Sequence, residues 1–599
     1  MSNISQVHYA VSLESISGHY FRVTQTIHLS TIEDIMVSLP AWIPGSYMIR
    51  DFCKNIVKFD VFDANDESLP YEKLDKQSWR ITPNSKIINI TMLVYAYDLS
   101  VRSAYINDEY AFFNGTSLFL RCHGYSGRCS MTLALPDKKQ DRWQIATSMP
   151  RDNSQSNKYV YLAQDYDELI DHPVLMGEFD IASFRAKGVD FKFVLTGKHK
   201  ADVERICQDL VAVCEHHLAL FDYNIPIDEY WFMTLLCEGG FGGLEHRAST
   251  VLQYARNELP TVRQRKTMPD GYRRFLSLCS HEFFHTWHVK RNKPDVFIQL
   301  DLSKEVYTEQ LWIYEGFTSY VDDLSLVRSK LIEPESYLEL LGQNLTRLSR
   351  NPGQFKQTVT ESSFDAWTRF YQQDASAANN IVSYYAKGAE IALCLDLLIR
   401  QETHDEANLF KVMQLLWRQF GSINVGTQID SINSTIKQHL NIDLGSFFQH
   451  ALYSTKPLPT EELLRGAGIE VCFRSQCEPG DKGGKSAEKE ARVGFGASYE
   501  DNSIGVKITQ VLESSPAYEA ELFVGDVLIS VEQWQVSKSK LQSILDDHYD
   551  QQYLTMHVLR DGRLVQLNLP VHEAQKDIIY LQTRDPALRD NWLMRPNLS

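Results

Sequence analysis

Ser280-His281-Glu282-Phe283-Phe284-His285 places two histidines four residues apart, with a glutamate directly after the first. On a helix, positions i and i+4 share a face, so both imidazoles can reach one ion. Neutral imidazole suits zinc, and the carboxylate of Glu282 can take a proton from water held at that ion. A buried helix with capped or solvated histidines would carry the same residues, so the rest of the chain has to decide. His288, one further turn along, is either a competing ligand or a packing residue.

A catalytic zinc needs a third protein ligand and an open position. The apolar stretch "LWIYEGFTSY" offers Glu315, a carboxylate flanked by Trp312, Tyr314 and Phe317 that is costly to bury unless paired with a cation. Between His285 and Glu315 lie 29 residues, and Glu305 and Glu309 inside that gap are rival third ligands. Upstream, "CEGGFGGLEHR" sets four glycines around Glu238 and Glu245. Glycines let a backbone approach a ligand closely, and a terminal carboxylate can hold a peptide ammonium. A plain glycine-rich turn is the competing reading. Tyr384 and Tyr385, at the start of a long apolar helix, could donate to a developing oxyanion or simply pack.

These groups need elements to position them. Residues from about 5 to 180 run in short, alternating β-branched and aromatic stretches such as "YFRVTQTIHL" and "IINITMLVYAYDL", which predict a β-sandwich-like domain. From about 200 to 455 the period becomes helical, in "ADVERICQDLVAVCEHHLALF", "GYRRFLSLCSHEFFHTWHV" and "GAEIALCLDLLIRQE". Asp270 stands where the histidine helix needs an N-cap. "EPGDKGGKSAEKEAR", Glu478 to Arg492, reads as a mobile linker, and alternating strands resume after it.

Composition bounds the partners. A chain of 599 residues exceeds one core. The net charge of −17 argues against nucleic-acid and anionic membrane surfaces. No apolar run approaches the roughly 20 residues that span a bilayer. The opening Met1-Ser2-Asn3-Ile4-Ser5 lacks the pattern of a signal peptide, and ten scattered cysteines without CxxC spacing read as reduced thiols, so a cytoplasmic location is expected. Oligomeric state leaves no trace.

Taken in order, these segments resemble the glycyl aminopeptidase family of gluzincin zinc metallopeptidases, in its branch with a C-terminal PDZ domain. The resemblance covers nearly the whole chain and is carried by "PAWIPGSYMIRDF", "GGLEHRAS", "HEFFHTWHVKR", "LWIYEGFTSY", "ESSFDAWTRFY" and "YYAKG". It implies a multidomain α+β chain: an N-terminal β-rich domain at 1–180, a mostly helical, thermolysin-like catalytic domain at 181–455, and a PDZ domain with its linker and tail at 456–599. It implies one Zn²⁺ per chain on His281, His285 and Glu315, with Glu282 as general base and Tyr385 as oxyanion donor. Gly242, Gly243, Glu245 and His246 match the strand that anchors the substrate amine in related aminopeptidases, with histidine where those have asparagine. The gap before Glu315 is longer than in many gluzincins. In the tail, "RVGFGAS" is similar to a PDZ carboxylate loop, so Val493, Gly494 and Phe495 would offer N–H groups to a peptide C-terminus. The expected activity is removal of small N-terminal residues, Gly and Ala, from peptides with a free N-terminus. Two alternatives remain open: a zinc endopeptidase recruiting substrates through its PDZ domain, and a PDZ adaptor whose peptidase domain is inert.

Overall fold

Alternation in the first 180 residues becomes sheet. In the strands Tyr20–Leu29 and Ile87–Tyr95 every second side chain is buried, as period-two patterning requires. The computed structural model describes residues 3–155, 159–221 and 224–594, so Met1 and Ser2 of the opening stretch lie outside them. Ile4–Ser15 pairs antiparallel with Tyr20–Leu29 and parallel with Cys129–Ala134, at the centre of a six-stranded sheet. Two four-stranded sheets complete the sandwich-like domain.

The chain divides into two compact units, residues 1–306 with 417–426 and residues 307–416 with 427–599. In the first, a five-stranded sheet follows the β domain, ordered Phe179–Ala186, Val189–Thr196, Glu229–Cys237, Ser249–Ala255, Phe241–Glu245. Helix Val203–Leu220 makes the crossover between the parallel strands Val189–Thr196 and Glu229–Cys237. The helical period near 200 predicts that helix but not the strand "EYWFMTLLC", which is buried on both faces and so lacks alternation. The glycine-bearing strand Phe241–Glu245 lies at the sheet's edge.

The histidine helix spans Asp270–Phe284. Its N-cap is Pro269, not Asp270, which instead supplies an acid to the first turn, where the helix dipole favours it. The stretch between the histidines and residue 306 folds back on the β domain. Trp42 Nε1 donates to the carbonyls of Asp301 (3.3 Å) and Lys304 (2.9 Å), Ala41 N–H donates to Leu302 O (2.7 Å), and Tyr47 stacks on Phe297. The "PAWIPGSY" stretch therefore anchors the insert.

In the second unit, helices Leu311–Tyr314 and Gly316–Arg328 meet at Glu315, and Tyr384–Glu402 crosses them. The crossing is close because two glycines face each other: a Cβ on Gly316 would come within 2.4 Å of Gly388 Cα. Further on, the glycine- and charge-rich Glu478–Arg492 is not the mobile linker its composition suggests. It is pinned by Asp481 to Arg474, and Gly484 N–H donates to Ile579 O (2.8 Å). Likewise the supposed tail is structural. Strand Ile578–Thr583 pairs with Ile469–Arg474, and helix Pro586–Leu593 buries Trp592. Between them lies the six-stranded PDZ sheet from Ala497 to Pro570. Among the described residues no helix is long and apolar enough to cross a membrane.

Candidate active site

His285 is the C-cap of the histidine helix, and its N–H still donates to His281 O at 3.3 Å, so the two rings stay one turn apart. Their centroids are separated by 4.7 Å with planes at 87°. His285 Nδ1 donates to the carbonyl of His288 at 2.7 Å. That bond places the ring proton on Nδ1 and the lone pair on Nε2, the form a metal-ligating histidine needs. The helix does not run on to His288 as its spacing suggests. The chain turns back instead, with Val289 at φ 129°, a conformation costly for a β-branched residue. His288 thus acts through its backbone, fixing the tautomer of His285, while its ring packs on Phe284.

The glycine strand brings the Glu245 carboxylate up to Glu282 on the histidine helix. One ligand-capable atom from each of Glu245, Glu282 and His285 lies within 4.8 Å of the others. Gly243 exists for Glu282: a Cβ there would come within 2.0 Å of Glu282 Oε1. Thr250 Oγ1, on the neighbouring strand, lies 3.4 Å from Glu282 Oε2. Gly45 does the same service for Glu245, since a Cβ at that φ +90° position would meet both carboxylate oxygens within 2.7 Å. Glu245 is 4% exposed, and its Oε1 has no hydrogen-bond partner among the described residues. A buried, unpartnered carboxylate oxygen is an acceptor prepared for a cationic donor.

Gly242 and Gly243 line the strand edge as the sequence implies, whereas His246 is turned toward Asp171, with Nδ1 at 3.1 Å from Oδ1. Lys290 Nζ donates to the same oxygen at 2.9 Å. Burial alone would raise the Asp171 carboxyl, but Lys290 and His246 outweigh it and hold the group well below the usual carboxylate range. Sequence reasoning missed Gly45, Thr250 and Asp171. Only Gly45 left a signal, as a turn in Ile43-Pro44-Gly45-Ser46.

In the second unit, Glu315 is 2% exposed among Trp312 and Phe317. Its rivals are less enclosed: Glu305 is half-buried and Glu309 exposed. Tyr385 stacks on Tyr384 and Phe370. Burial first, then the nearby Glu315 carboxylate, push its phenol well above the usual tyrosine range, so it remains a proton donor. A buried carboxylate and a tautomer-locked histidine are the donor types a catalytic zinc takes.

The carboxylate loop differs from the sequence expectation. Val493 N–H donates to Asp546 Oδ1 (3.0 Å) and Gly494 N–H to His572 O (3.0 Å), so both are occupied within the chain. They were expected to face a ligand because the loop pattern alone does not reveal that residues 572–574 run beside it. Of the expected three, Phe495 remains.

Three family models match the chain: the Peptidase M61 N-terminal domain over residues 8–178, the M61 glycyl aminopeptidase over 274–391 and the PDZ domain over 493–571. Among solved structures, an aminopeptidase N family protein from Idiomarina loihiensis is 40% identical with a TM-score of 0.95, the match covering 98% of this chain and 100% of that one. An M1 zinc metallopeptidase from Deinococcus radiodurans, bound to a Tyr-Ser-Ala substrate, is 14% identical with a TM-score of 0.46, covering 76% and 95%. No curated protein matches the chain.

Proposed function

Since the chain belongs to the M61 glycyl aminopeptidase family and is a metallopeptidase, we propose that it removes single N-terminal residues, glycine and alanine foremost, from peptides. The observation that carries this reading is the Glu245 carboxylate, buried against Gly45 with one oxygen unpartnered and set beside Glu282 and His285. A free ammonium is the cation that fits such an acceptor.

In this reading His281, His285 and Glu315 hold one zinc ion. When bound, zinc polarises the scissile carbonyl and acidifies water. Glu282 takes the proton of the attacking water and passes it to the leaving amine, its carboxylate steadied by Thr250 and by the bare backbone at Gly243. Tyr385 donates to the oxyanion. Glu245 clamps the substrate amine, and the short reach from its carboxylate to Glu282 admits one residue between clamp and chemistry, which makes an exopeptidase. Residues 1–180, 181–455 and 456–599 then serve as β-rich, catalytic and PDZ domains, and the N–H of Phe495 is the donor left for a peptide C-terminus.

The test is turnover of glycine and alanine p-nitroanilides beside their acetylated forms, in wild type, Glu282→Gln and Glu245→Ala. Glu282→Gln should keep its zinc and lose nearly all turnover. Glu245→Ala should raise KM sharply for free-amine substrates. Equal cleavage of acetylated and free substrates by wild type would remove the amine clamp and favour an endopeptidase.

A further inference from the structure

Arg102 reaches the glycine strand from the β domain, within the same unit. Its Nη2 donates to Gly243 O at 3.4 Å, and its Nη1 lies 3.9 Å from where a Cβ on Gly242 would stand. The guanidinium thus lies beside Gly242, at ordinary contact distance from the strand. The contact falls on the strand's free edge. Leu244 O accepts from Thr250 Oγ1 on the paired strand, so the next carbonyl back, that of Gly243, points the other way. Arg102 is under-used where it stands. Its Nε is buried without a hydrogen-bond partner, no carboxylate pairs with it among the described residues, and its one bond to a neutral carbonyl is long.

We propose that Arg102 binds the α-carboxylate of short peptide substrates, making the enzyme selective for dipeptides and tripeptides. The inference rests on the amine clamp at Glu245. A peptide anchored there and laid antiparallel along the free edge passes Gly243 and Gly242 in turn. Two residues of extended chain span about 7 Å, which brings a short peptide's carboxylate to the guanidinium. A guanidinium fork binds a carboxylate through two parallel N–H bonds, and the Nη1 and Nη2 donors supply that fork. Glu245 at one end and Arg102 at the other would then read both termini of one small zwitterion.

The measurement is kcat/KM for Ala-Ala as the free acid and as its C-terminal amide, in wild type, Arg102→Gln and Arg102→Lys. Both substrates are run on one preparation, so any loss of folded protein cancels in the ratio. Wild type should favour the acid by about tenfold or more, through KM. Arg102→Gln should bring the ratio close to one, and Arg102→Lys should restore part of it. An acid-to-amide ratio that is near one in wild type, or unchanged in Arg102→Gln, overturns the proposal. Failure of the clamp is read separately, as wild-type cleavage of acetylated substrates.

Discussion

The Glu282 carboxylate occupies the space a side chain at position 243 would need: a Cβ on Gly243 would come within 2.0 Å of Oε1. The atoms that meet are the carboxylate end and its Cγ, at 2.0–2.7 Å, so any residue but glycine must push the Glu282 carboxylate, the proposed general base, aside. Misplacing a reacting group by about 1 Å can cost on the order of a hundredfold in rate. Gly243→Ala should therefore lower kcat by about that factor while zinc content and melting temperature stay near wild type. A variant with full kcat would show that Glu282 does not need this position.

A second glycine acts on packing. A Cβ on Gly388 would meet Trp312 O at 2.4 Å and Gly316 Cα at 2.8 Å, both rigid backbone atoms. Gly388→Ala must separate the helices Tyr384–Glu402 and Gly316–Arg328, at a cost of about 1–3 kcal/mol for overpacking. Because Glu315 caps the start of one helix and Tyr385 lies in the first turn of the other, the same change should weaken zinc retention. Thermal melting and metal content after dialysis measure the two effects.

The proposed metal-binding pattern is legible because His281, Glu282 and His285 are local: four residues of helix set their relation. Glu315 stood out as an acid in an apolar run. What the sequence hid are contacts of large separation, such as Gly45 beneath Glu245 and Arg102 on Gly243, since no local period records which distant backbone approaches a carboxylate. The strand Glu229–Cys237 was missed for another reason. Burial on both faces erased the alternation that marks a strand.

Tyr385 is kept protonated by burial and by Glu315, the state its proposed role as oxyanion donor requires. Tyr385→Phe should lower kcat about a hundredfold, near the roughly 3 kcal/mol of a lost oxyanion donor. It should leave the alkaline limb of the pH–rate profile where it is. A shift of that limb in Tyr385→Phe would mean the phenol titrates in the active range.

Acid stability has an identifiable source in His172. The side chain is 3% exposed, with Nδ1 and Ser148 Oγ 2.8 Å apart. Burial, only partly opposed by Asp171, brings its pKa down to about 4. The unfolded chain, titrating near 6.5, binds the proton first as pH falls. Stability is therefore full above about 6.5 and declines from there to about 4, by at most roughly 3 kcal/mol. His172→Asn should flatten the loss of melting temperature over that window. Curves of unchanged slope would assign the acid sensitivity elsewhere.

The segment Glu478–Arg492 gives the last test, because its composition and its structure point opposite ways. Polar residues and three glycines predict chain that could be altered at no cost. Yet Asp481 accepts from Arg474 Nη1 (2.5 Å) and Nη2 (3.1 Å) and from the N–H groups of Cys477 (3.0 Å) and Gly483 (2.9 Å). The two charged side chains are 6% and 4% exposed. Burial opposes the charge on Asp481, but these donors hold its carboxyl well below the usual range. Removing the acid strands a buried guanidinium, which costs about 3–5 kcal/mol. Asp481→Ala should lower the melting temperature and open Glu478–Arg492 to limited proteolysis, with Asp481→Asn between it and wild type. Wild-type protease resistance in Asp481→Ala would return this segment to the status of a free linker.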